Sequence, residues 1–135
     1  AEVLCAFKGE HGYISPSWYA GAPNVPTWNS VVLHVYGKPR LIEDPVEKKA
    51  MMTRLVDAME AGFDEPWRME LPEKYEMGML SGIAAVEIEI TRMQGKAKLS
   101  QNRKPEDAKG AIAGLRATGR AEDARLADLM AEQLA

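Results

Sequence analysis

The chain is poor in the residue types that build most metal, disulfide and nucleophilic sites. It has one cysteine, Cys5, and two histidines, His11 and His34. A lone cysteine closes no internal disulfide, so neither an oxidising compartment nor a thiolate metal site is indicated, and a reduced cytoplasm is the compartment expected. No carboxylates stand at ligand spacing around the histidines, so no metal site is expected. No apolar run approaches the ~18 residues that span a bilayer, and the first residues lack a basic segment followed by an apolar one. Neither a membrane nor secretion is indicated. The sequence also lacks a Gly-x-Gly-x-x-Gly fingerprint, a P-loop, a nucleophile elbow and any evident nucleophile and base pair. Excess positive charge is missing too: the formal charge is −3 and the pI about 5.5, which argues against a protein that coats nucleic acid with its whole surface.

What is present suits a folded protein. The 135 residues, 46% hydrophobic and 27% charged, allow one domain with a single core. Charge is unevenly spread. Lys96, Lys98, Arg103, Lys104, Lys109, Arg116, Arg120 and Arg125 face only Glu106, Asp107, Glu122 and Asp123 over the same stretch, so an anion is expected at that end.

Val3 to Phe7, bounded by Gly9, reads as a buried strand, and Gly12 to Ser15 as a short second one joined to it by a hairpin. Pro16 to Pro26, with three prolines and a glycine, reads as a loop. From Val31 to Ile42 the side chains alternate, with Val31, Leu33 and Val35 on one face, Val32, His34 and Tyr36 on the other, and Gly37 marking a bulge or bend. Asp44-Pro45-x-Glu47 predicts a helix start. Met52, Leu55, Val56 and Met59 continue it at helical spacing, and Gly62 is expected to end it in a left-handed cap. A short helix is predicted over Tyr75 to Leu80. Val86, Ile88 and Ile90 alternate with Glu87, Glu89 and Thr91, predicting a strand with one wet face that continues past a turn at Gly95 into Lys96 to Ser100. Pro105 opens a helix stopped by Gly119, and Leu126, Leu129 and Met130 define a last one. Few long strands with interspersed helices, strands dominating the first part, suggest an α+β, mostly β fold or one that contains a barrel.

Three polar, aromatic-rich stretches exceed what a core requires. They are Ser15-Pro16-Ser17-Trp18-Tyr19, Pro26-Thr27-Trp28-Asn29, and Lys96-x-Lys98-Leu99-Ser100-Gln101-Asn102-Arg103. Indole faces beside hydroxyls and an amide suit a flat heteroaromatic ligand with a polar edge; equally, the tryptophans are accounted for as caps on the core beneath a proline-rich loop. Lys98 to Arg103 offers two cations, a hydroxyl and two amides before a helix opened by Pro105, a setting for a phosphate or simply a solvated basic turn. His34 has the direction to enter a pocket, although a strand histidine is more often structural. The last two helices permit a helix-turn-helix reading with Arg120 and Arg125 on phosphates, but Glu122 and Asp123 would then open the recognition helix against a DNA backbone.

His11 to Tyr19, Val25 to Asn29, His34 to Gly37 and Lys98 to Arg103, in that order, resemble the PaiB family of FMN-binding negative transcriptional regulators over nearly the whole chain. The resemblance implies an FMN-binding split β-barrel related to pyridoxamine-phosphate oxidase, a homodimer with flavin mononucleotide (FMN) at the subunit interface, and a repressor role that brings DNA in as a partner. It implies cofactor contacts from Ser15, Ser17, Trp18, Thr27, Trp28, Asn29, His34, Lys98, Ser100, Gln101, Asn102 and Arg103, with Lys98, Ser100 and Arg103 on the phosphate and no catalytic residue. The family carries further strands and a helix ahead of residue 1, so an N-terminally incomplete barrel is expected, with residues 105 to 135 as terminal helices. An aromatic often follows the family's Trp-Asn pair, where Ser30 stands here. The same fold also accommodates a flavin-dependent oxidoreductase, or a dimeric interaction module that ignores flavin.

Overall fold

Val31, Val32, Val35 and Ile42 place β-branched side chains along Thr27–Ile42, and this stretch becomes the central strand of the sheet. In a computed structural model that describes residues 1–134, β1 (Val3–Ile14), β2 (Thr27–Ile42) and β3 (Ala85–Lys98) form one antiparallel sheet in the order β1-β2-β3. Helices α1 (Pro45–Glu60) and α2 (Glu73–Ser81) lie between β2 and β3 in the chain, and α3 (Pro105–Ala117) and α4 (Ala121–Glu132) follow β3. The architecture is α+β. No helix among the described residues is long and apolar enough to cross a membrane.

The chain divides into two units, one of residues 1–3 and 37–89, the other of residues 4–36 and 90–135. The second holds the main core. Ile14, Tyr19 and Leu99 pack with Ala111, Ile112 and Leu115 of α3 and with Leu126, Ala127 and Met130 of α4. Small residues on the helices permit close approach, and Gly119, at a φ of 72°, makes the turn between them, a conformation that costs a glycine little. Trp18, in a 3-10 turn at Pro16–Trp18, lies against α3 where two glycines leave room. A β-carbon on Gly110 would stand 2.0 Å from the Trp18 carbonyl oxygen, and one on Gly114 would stand 2.2 Å from the indole.

In the first unit, α1 starts where its cap predicts. Asp44 accepts from the Glu47 N–H at 3.1 Å and Pro45 occupies the first turn. No residue of α1 is buried, however, and Leu55 and Met59 of its apolar stripe are exposed. Arg40 joins three elements, bonding Glu47 of α1 and Glu87 of β3 from its own place on β2.

Four local expectations are corrected. Residues 3–14 form one continuous strand rather than a hairpin, and Gly12 serves to admit Leu126, whose Cδ2 lies 2.8 Å from where a β-carbon would be. Gly37 sits inside an unbroken β2, where a β-carbon would meet the Glu89 carbonyl oxygen at 2.4 Å, so close strand approach and not a bend selects it. Gly95 lies within β3 and makes no turn. Gly62 makes no left-handed cap, since α1 ends at Ala61 in right-handed geometry, and among the described residues Gly119 is the glycine with positive φ. The wet-face reading of β3 holds only in part: Ile88 is half-buried, while Val86 and Ile90 are exposed like the acids between them.

Candidate functional site

The turn after β3 is built by its own side chains. Gln101 accepts from the Leu99 N–H at 2.7 Å and donates to the Ala97 carbonyl at 2.9 Å, so its amide is committed to closing the turn. The Arg103 N–H donates to the Ser100 carbonyl at 3.0 Å. Ser100 is buried in the left-handed region, with φ at 66°, a position that disfavours any residue with a β-carbon. What holds it is Asn29, fully buried on β2, whose Nδ2 donates to Ser100 Oγ at 2.8 Å and to the Met130 sulfur at 3.3 Å. Lys98 Nζ donates to Thr27 Oγ1. Thr27, Asn29, Lys98 and Ser100 are therefore brought together by two contacts, one between β2 and β3 and one between β2 and the turn after β3, each joining residues 71 apart in the chain.

Alternation along β2 directs Ser30, Val32 and His34 to one side, where they line a groove of about 540 Å³ with Gln94, Gly95, Lys96 and Lys98 of β3. That volume suits a small-molecule group. The lining offers two ammonium groups, a hydroxyl, an imidazole and an amide, and no carboxylate. Beyond it, the His34 ring meets Tyr36 edge-on at 6.4 Å, and the Arg92 guanidinium covers the Tyr36 face at 3.5 Å. Ser30, Val32 and Gln94 did not stand out as site residues in the sequence, whereas Lys96 opened the third polar stretch. Their shared parity with His34 and Lys98 was the available signal, but it specifies a face and not the pairing of β2 with β3.

The remaining candidates go elsewhere. Ser15 Oγ accepts from the Ser17 N–H at 3.2 Å and lies 2.7 Å from Ser17 Oγ, forming the cap of the 3-10 turn. Trp18 is taken up in packing on α3, as the core-cap reading has it. Trp28 is 59% exposed and meets Tyr13 edge-on at 5.9 Å. Asn102 is exposed. Arg103 donates to Asn24 Oδ1 at 2.7 Å, and its guanidinium lies 4.5 Å from the centre of the Tyr19 ring, so its partners are not those of Lys98 and Ser100. In the α3–α4 hairpin the arginines are matched by acids: Arg116 with Asp128, Arg120 with buried Asp123, and Arg125 with Glu10. The hydrogen bond that Arg120 donates to Asp123 pushes the guanidinium up from its ordinary value.

Comparison with known proteins gives the frame for this geometry. Residues 1–92 match the family described as "Putative FMN-binding domain". The protease synthase and sporulation protein PAI 2 of Bacillus subtilis is 36% identical over 98% of this chain and 64% of its own length. An uncharacterised protein of Emericella nidulans is 29% identical over 98% of this chain and 59% of its own, and one of Aspergillus fumigatus is 31% identical over 87% of this chain and 53% of its own. The chain thus spans less than two thirds of the length of these relatives.

FMN presents a phosphate and a ring edge rich in hydrogen-bonding atoms. A groove with two lysines, a serine, a histidine and a glutamine, and no acid among its lining residues, fits the anionic part of such a molecule, because unopposed ammonium groups and neutral donors meet phosphate oxygens without like-charge repulsion. By its family match over residues 1–92 and its similarity to the Bacillus protein along nearly all of its length, this chain belongs to the PaiB family, whose cofactor is FMN.

Proposed function

We propose that this chain is the flavin-holding part of a PaiB-type split-barrel protein, working as a cytoplasmic homodimer and as a negative regulator of transcription. The observation that carries the flavin reading is the acid-free groove of Ser30, His34, Gln94, Lys96 and Lys98. In this reading Lys96 and Lys98 receive the phosphate, Thr27 steadies Lys98, and the Asn29–Ser100 bond holds the turn that positions both. Trp28, on the same side of β2 by alternation, offers an exposed indole face to the ring. Dimerisation is supported by Phe7, Tyr13 and Trp28, large apolar side chains left exposed on β1 and β2, since exposed apolar surface favours association. The sheet contributes three strands to the proposed barrel, with α3 and α4 as terminal helices of the same domain.

The regulatory role rests on the family resemblance. With Arg116, Arg120 and Arg125 matched by acids, DNA contact through the terminal hairpin requires those pairs to open. Retention of a promoter fragment that falls with added salt and prefers one sequence supports the role, whereas retention indifferent to both overturns it.

The flavin reading is tested by fluorescence titration with FMN and with riboflavin, which lacks the phosphate. FMN should bind more tightly, and Lys98→Ala or Lys96→Ala should weaken FMN by about tenfold each, the effect of one charge-assisted hydrogen bond, while leaving riboflavin unchanged. Equal affinity for the two flavins removes the phosphate assignment, and no binding of either removes the reading.

A further inference from the structure

Glu76 is a buried carboxylate for which the flavin reading has no use. It sits in α2, 5% exposed, and its Oε2 accepts from Lys49 Nζ at 2.8 Å. Its Oε1 is buried with no hydrogen-bond partner among the described residues. A buried carboxylate oxygen without a donor is costly, and a group that supplies one is favoured there. Glu76 also lines a groove of about 580 Å³ between the start of α1 and α2, whose walls include Val46, Leu71 and Met77. Among the described residues, the charged groups along it are Lys49, Glu73 and Glu76. The groove is therefore apolar along its sides and carries a net negative charge.

We propose that this groove binds a small organic ammonium ion, with Glu76 receiving the charged head and Val46, Leu71 and Met77 covering an aliphatic or aromatic body. An ammonium carries three donors, enough to engage both Glu76 oxygens where Lys49 engages one. The Lys49 side chain is 51% exposed, so it can yield its place to the ligand and remain hydrated. The same charge balance selects against carboxylates and phosphates, and a neutral ligand gains only the apolar contact. The site lies wholly within residues 37–89 and stands whether or not flavin binds elsewhere.

The experiment is an amide chemical-shift titration of the 135-residue chain with n-hexylammonium chloride, set against n-hexanol and sodium hexanoate. Saturable shifts at Val46, Leu71 and Met77 are expected, with the ammonium bound about tenfold more tightly than the alcohol and the carboxylate not bound. Glu76→Gln should abolish the preference for the ammonium. Lys49→Met should strengthen hexylammonium binding by removing the competing cation. Equal binding of ammonium and alcohol, absence of saturable shifts in this groove, or a preference that survives in Glu76→Gln overturns the proposal. If Glu76→Gln does not fold, unchanged or weaker binding in Lys49→Met overturns it instead.

Discussion

Asn29 on β2 donates a hydrogen bond to Ser100 Oγ at 2.8 Å, and Ser100 is the one non-glycine residue with positive φ among those described. A β-carbon in the left-handed region costs about 1 kcal/mol, and the Asn29 amide offsets it. Ser100→Ala keeps the β-carbon there and removes the oxygen acceptor, leaving a fully buried amide with only the Met130 sulfur. Urea unfolding should show a loss of about 1–3 kcal/mol. Ser100→Gly loses the same bond but relieves the backbone, so it should be more stable than the alanine variant by about 1 kcal/mol. If the two variants unfold together, the left-handed conformation at residue 100 is not carrying strain.

Gly114 invites the opposite expectation from its helix and from its neighbour. In the middle of α3 an alanine gains about 1 kcal/mol of helix propensity, yet its β-carbon would lie 2.2 Å from the Trp18 indole. Overpacking of this kind costs about 1–3 kcal/mol, so Gly114→Ala should be destabilising on balance. In a Trp18→Ala background the clash is absent and the same substitution should become neutral or stabilising. A thermal-melt double-mutant cycle reads the change of sign, and additive effects would mean that Trp18 does not rest on this glycine.

These two positions mark where the sequence stopped being legible. The start of α1 could be read because Asp44, Pro45 and Glu47 act within one turn, and the strand in β2 because alternation is local. The two glycines of α3 stood four residues apart in plain view, but nothing local names Trp18 as what fills the space. Likewise Lys98, Ser100 and Arg103 looked like one phosphate clamp because they are adjacent in sequence. Lys98 and Ser100 find Thr27 and Asn29 on β2, whereas Arg103 finds Asn24, 79 residues away, in the proline-rich loop. Register between distant segments, set by packing, decided which side chains share a site.

Arg40 gives a prediction in pH. Its hydrogen bond holds the Glu47 carboxyl below the ordinary carboxylate value, and Arg40 in turn is raised by Glu47 and Glu87. A lowered acid contributes stability that is present above its unfolded value, about pH 4.3, and is lost as pH falls through the folded value. The wild-type chain should therefore lose stability more steeply than Arg40→Ala on acidification below about pH 4. A carbon-detected titration should place the Glu47 midpoint lower in the wild type than in Arg40→Ala, and coincident midpoints would show that the pair does not persist in solution.

Arg103 and Lys98 should separate when flavin binding is measured alongside stability. Arg103 donates to Asn24 and covers the Tyr19 ring, so its guanidinium is occupied in tying the 20–24 loop to the turn after β3. Lys98 lines the acid-free groove. Arg103→Ala should lower stability by about 1–2 kcal/mol through the lost charged hydrogen bond and ring contact, with affinities for FMN and riboflavin falling together if they fall at all. Lys98→Ala should leave the melting temperature nearly unchanged and reduce FMN affinity alone. The ratio of FMN to riboflavin affinity is the quantity to compare, because a loosened loop lowers both numbers while a missing phosphate contact lowers one. A ratio that drops in Arg103→Ala and not in Lys98→Ala would move the phosphate from the β2–β3 groove to the neighbourhood of Asn24 and Tyr19.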